Sequence, residues 1–151
     1  MQQIKINHGF TLIELMVTIA VMAIIATIAA PSFNNIRLAQ NFNKSTQDLI
    51  AQLNQARSKA VLERRSIEVK LDSSVADDTV AILNWKPVEP AILKTGSPTS
   101  ITFLLSGSVK DFDANIKNKP FVVCNKSGGN KSKSIGISLM GTIQIVEGTT
   151  C

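Results

Sequence analysis

The chain has 151 residues and a formal net charge of +5, from 16 Lys and Arg against 11 Asp and Glu. That excess is too mild to select a polyanionic partner. His8 is the only histidine, tyrosine is absent and there are two cysteines, so serine or cysteine nucleophiles lack their usual base; neither enzymatic chemistry nor a cofactor is expected.

Residues 1–9 are short and polar, with Lys5 as their charge. Between Lys5 and Arg37 the only formal charge is Glu14, and the uncharged stretch from Leu15 to Ile36 holds 22 residues. At about 1.5 Å per residue this is roughly 30 Å of helix, the thickness of a bilayer's hydrocarbon core. The apolar core of a secretory signal peptide is only about 7–15 residues, shorter than the run from Leu12 to Ala30. The stretch therefore reads as a membrane anchor with one acid near its start, and an acid in lipid costs enough to require a partner. Pro31 removes one helical hydrogen bond and is expected to bend the axis without ending it.

Beyond Pro31 the pattern turns amphipathic. Phe42, Thr46, Leu49, Leu53, Ala56 and Ala60 recur at spacings of three and four, one face of a helix. Neither glycine nor proline interrupts Ser32 to Arg65, so one helix from about Phe10 to Leu62 is predicted. Ile67 to Leu71 alternates with period two, as a half-buried strand does. Thr79 to Trp85 follows a polar turn and is expected to pair with it. A loop with Pro87, Pro90, Gly96 and Pro98 holds a short strand at Ala91–Leu93. Further strands are predicted at Ile101–Leu105, Phe121–Cys124, Ile135–Leu139 and Thr142–Val146, the last two joined at Met140-Gly141. Val109, Phe112 and Ile116 are expected to anchor an irregular segment to the core. The pairs Asp77-Asp78 and Asp111-x-Asp113 lack the glycine and distal glutamate of a calcium loop, and no metal is expected.

Gly9-Phe10 with Glu14 downstream resembles the class III leader of type IV prepilins. The resemblance implies peptidase cleavage after Gly9 and methylation of the new amino terminus at Phe10. Glu14 would then be fifth in the mature chain and would neutralise the terminal amine of a neighbouring subunit. This leader, Pro31, Ala56-Arg57-Ser58-Lys59-Ala60 and a closing hairpin with Gly141 resemble the GspH/FimT family of minor pilins and pseudopilins. The implied fold is α+β, the pilin fold, with a long N-terminal helix packed against antiparallel sheet. Its divisions are a leader at 1–9, a transmembrane part at 10–36, an amphipathic stem at 37–64 and a β-rich head at 65–151.

The resemblance places the anchor as a single pass of the bacterial inner membrane, with the head in the periplasm and later in the pilus or pseudopilus. In that oxidising compartment Cys124 and Cys151 are expected to bridge. The implied partners are other minor pilins, the major pilin, the prepilin peptidase, the inner-membrane assembly platform and the lipid bilayer. DNA-receptor members of the family carry a Gly-Arg-x-Arg motif in the last hairpin; here the positions read Gly141-Thr142-Ile143-Gln144. The expected role is that of a FimU-type minor pilin, which helps initiate pilus assembly and links minor subunits to the major pilin in twitching motility. The alternatives are a protein H-type pseudopilin of type II secretion and a DNA-uptake receptor. Lys117, Lys119, Lys126, Lys131 and Lys133 form a run without acids between 117 and 133. Of these, Lys126, Lys131 and Lys133 are the candidates for weak, non-specific phosphate contact.

Overall fold

The computed structural model describes residues 10–74, 77–148, 150 and 151, with the side chains of 29–32 left aside. The leader at 1–9, with Gly9, lies outside the described residues. So does the Pro31 side chain, on which the expected bend falls; the backbone there is helical. By its internal contacts the chain divides into two compact units, Met1–Arg37 and Leu38–Cys151.

A single helix, α1, runs Leu12–Leu62. Within the first unit its side chains from Leu12 to Phe33 are exposed wherever they are described, and nearly all are apolar. By length and composition α1 can cross a membrane. The Thr18 and Thr27 hydroxyls donate to the carbonyls of Leu15 and Ile24 at 2.8 and 2.7 Å. Both polar groups are thus satisfied inside the helix, as a lipid surrounding requires.

The second unit is built on the rest of α1. Phe42, Thr46, Leu49, Leu53, Ala56 and Ala60 are all buried, the stripe that the three-and-four spacing predicts. Ser45 joins them, its Oγ donating to the Asn41 carbonyl and accepting from the Val88 N–H, both at 2.8 Å. Two sheets supply the remaining core. The first orders its strands β2-β1-β4, from Ile82–Trp85, Ile67–Leu71 and Ser100–Phe103. The second orders them β3-β5-β6-β7, from Ile92–Leu93, Phe121–Cys124, Ser132–Ile137 and Ile143–Gly148. Ile67, Val69, Phe103, Phe121, Val123 and Ile135 face inward and are fully buried with Leu49 and Leu53.

The second sheet is antiparallel throughout, but the first is mixed: β1 pairs with β2 in parallel, Glu68 opposite Ile82 and Leu71 opposite Trp85. This corrects the all-antiparallel expectation. The segment 72–81 is long enough to carry the chain back to the start of β1 before β2 begins. Asp78 and Asp77 fasten the return, Asn84 donating from its backbone N–H to Asp78 Oδ1 at 2.7 Å and from Nδ2 to the Asp77 carbonyl at 2.8 Å. Val109 and Ile116 are buried and Phe112 packs on the core, yet the segment is not wholly irregular. A one-turn helix, α2, spans Phe112–Asn115. Strand β6 starts three residues earlier than the apolar pattern suggests, because Ser132, Lys133 and Ser134 pair with Cys124, Val123 and Val122.

Candidate assembly interface

In the first unit the acid of interest is held at the helix start. Thr11 precedes α1, and its N–H and Oγ1 both donate to Glu14 Oε2, at 3.2 and 3.0 Å. The Glu14 N–H donates in return to Thr11 Oγ1 at 3.2 Å. This is a reciprocal capping box, and it places a carboxylate where the helix dipole favours negative charge. Glu14 is therefore not an orphan acid in an apolar run. The Thr-x-x-Glu spacing was a readable signal for the box. Phe10, immediately before it, is 82% exposed.

In the second unit the five lysines of 117–133 do not act as one patch. Lys117 Nζ pairs with Asp113 Oδ1 at 2.8 Å, and that hydrogen bond, aided by the nearby charge, raises its pKa above the ordinary lysine value. Lys119 Nζ donates to the Ala114 carbonyl at 3.1 Å. Lys133 is drawn onto the helix, donating to Asn43 Oδ1 at 3.2 Å, sitting 5.6 Å from the centroid of the Phe42 ring and lying 3.7 Å from Glu147 Oε1. Two acids outside the run, Asp113 and Glu147, thus reach lysines that look unopposed within it. Lys126 and Lys131 alone of the five are exposed with neither an ion pair nor a side-chain hydrogen bond among the described residues.

Those two flank a tight loop. Gly129 N–H donates to the Lys126 carbonyl at 3.1 Å, and Asn125 N–H to the Lys131 carbonyl at 3.1 Å. Cys124 and Cys151 form a disulfide with their Cα atoms 5.9 Å apart, and the Cys151 N–H donates to the Gly129 carbonyl at 3.2 Å. Thr142 and Gln144, at the arginine positions of the receptor type, are exposed on the β6–β7 hairpin. No group of three or more His, Cys, Asp or Glu able to hold a metal occurs among the described residues.

A third feature was visible only as a motif. Arg57, half-buried on α1, donates from Nε to the Gly107 carbonyl at 3.3 Å. Gly107 and Gly141 both have positive φ, 79° and 75°, and both are buried. A Cβ on Gly141 would stand 2.7 Å from the Gly107 carbonyl oxygen and 2.9 Å from Arg57 Nε. Gly141 thus has neither the backbone angle nor the space for another residue, and Arg57 is the peg on which two turns close.

Residues 4–30 match the prokaryotic N-terminal methylation motif. Residues 45–141, more than half of the chain, match the family described as type II transport protein GspH. No curated protein and no solved structure matches the chain.

Proposed function

The chain belongs to the GspH family of minor pilins and pseudopilins, and from that premise we propose that it is a minor pilin of a type IV pilus. The family is structural rather than enzymatic and assembles with other pilins or pseudopilins. The observation that carries the proposal is the division of labour along α1. Its first part lies largely within a methylation motif and leaves its apolar side chains uncovered, whereas its second part buries a continuous stripe in a folded head. A subunit of this design can wait in a bilayer and then exchange lipid for the apolar helices of its neighbours.

In this proposal the peptidase cuts after Gly9, Phe10 is methylated, and Glu14 leaves its capping box to pair with a neighbour's terminal amine. The subunit helps start assembly and joins other minor pilins to the major pilin, with its head on the periplasmic side. The exposed hairpin carries Thr142 and Gln144 instead of arginines, which supports a structural role over DNA reception. A second reading, pseudopilin of type II secretion, is favoured by the description of the matched family itself. Deleting the gene in its own cells tests the choice. Loss of surface pili with secretion intact supports the minor pilin; loss of secretion with normal pili overturns it in favour of the pseudopilin.

A further inference from the structure

At the end of the second unit where α1 finishes, three elements carry apolar side chains that the described residues leave exposed. Val61 belongs to the last turn of α1, Leu105 to the turn closed by Gly107 N–H on the Leu104 carbonyl, and Leu139 and Met140 to the turn between β6 and β7. A Cβ on Gly107 would lie 3.1 Å from Val61 Cγ2, and the Val109 N–H donates to the Leu139 carbonyl at 2.9 Å. Leu105 is 59% and Met140 65% exposed, and Val61 and Leu139 are about half exposed. Single apolar residues on a surface are ordinary, but four on converging turns mark an interaction site.

Arg57 stands among them. Its Nε holds the Gly107 carbonyl, but among the described residues no carboxylate pairs with its guanidinium. A planar fork of donors set among apolar side chains suits a carboxylate that is itself set among apolar side chains, and arginine in such a setting is a frequent anchor of protein interfaces. A nucleic acid would satisfy Arg57 but leave Leu105 and Met140 in water. An anionic membrane surface draws clusters of cations, and here a single guanidinium stands in the apolar set.

We propose that this patch docks another pilin-like subunit, whose apolar contact surface carries an aspartate or glutamate that pairs with Arg57. The inference rests on the reading of the chain as a filament subunit. It is tested with the full-length chain in its own cells, a photoreactive benzophenone residue replacing Met140 in one strain and Ile25 in another. Both probes are expected to give adducts with pilin-like subunits, identified by mass spectrometry. The adduct at 140 should fall about tenfold or more with Arg57→Gln or with Leu105→Asp, while the adduct at 25 persists. Restoration of the Arg57→Glu adduct by an acid-to-arginine change in the captured subunit would identify the paired carboxylate. If residue 140 captures only lipid or nucleic acid, or captures a pilin regardless of Leu105→Asp and Arg57→Gln, the docking proposal is overturned and the filament reading stands. If the probe at 25 also captures no pilin-like subunit, the filament reading itself falls.

Discussion

Glu14 offers one carboxylate for two uses. In the uncut chain it completes the cap with Thr11; in the proposed filament it faces a neighbour's amine. Glutamine serves equally well as the third residue of a capping box but carries no charge, so it separates the two uses. Glu14→Gln and Glu14→Ala should both insert into the membrane, and both should be depleted from sheared filaments, measured by immunoblot against the membrane fraction. Wild-type filament content for Glu14→Gln would leave the cap as the only role. At Gly9, Gly9→Val should leave the leader attached, read as the intact mass of the extracted protein; a species beginning at Phe10 would refute cleavage that depends on the small residue. Gly141 belongs at this scale too. Gly141→Ala meets a left-handed backbone and a carbonyl oxygen at once, and should lower stability by about 1–3 kcal/mol in urea unfolding.

Among the elements, α1 was legible almost to the residue because two independent signals coincide in it. Glycine is missing from its whole length, and the apolar spacing shifts from continuous to every third or fourth position. Leu53 sits at the centre of the buried stripe with no solvent contact. Leu53→Ala should cost about 2–5 kcal/mol, measured by the same unfolding. The strand face of β1 was equally readable from alternation, but alternation is blind to direction, so the parallel pairing of β1 and β2 was hidden. Four residues of α2 are too few to show a period. Ser132 to Ser134 look like loop and become strand through backbone pairing alone. The Cys124–Cys151 link needed only the count of two cysteines and the expectation of an oxidising compartment. It closes a 27-residue separation, so Cys151→Ser should cost about 3–4 kcal/mol in the chain-entropy model. Thermal unfolding with and without reductant checks this, since reduction should destabilise the wild type and leave the variant unchanged.

For the whole molecule, the site was less legible than the fold because a lysine's fate depends on partners that its own run does not contain. Asp113, the Ala114 carbonyl and Glu147, all outside 117–133, engage three of the five lysines and leave two without a partner among the described residues. Duplex DNA should therefore bind the full chain in detergent only weakly, with log affinity falling against log salt at a slope of about −2 if each free lysine meets one phosphate. Lys126→Ala or Lys131→Ala should each reduce that slope by about 1, and Thr142→Arg with Gln144→Arg should strengthen binding. Fluorescence anisotropy at several salt concentrations measures all three. A steeper slope in the unmodified chain would restore the receptor reading.

The buried stripe of α1 has a further consequence, one of timing. The helix is made first, yet Ile135 and Ile137, which help cover it, emerge last. Ala60 and Ile135 are separated by 75 positions, so at a synthesis rate of about 5–20 residues per second the stripe stays naked for about 4–15 s. Throughout that interval the chain presents two adhesive surfaces in series, one destined for lipid and one for its own sheets. What separates them is charge: Lys44, Asp48, Arg57 and Lys59 stand in the second stretch and make lipid costly for it, so it waits for the sheets while the first does not.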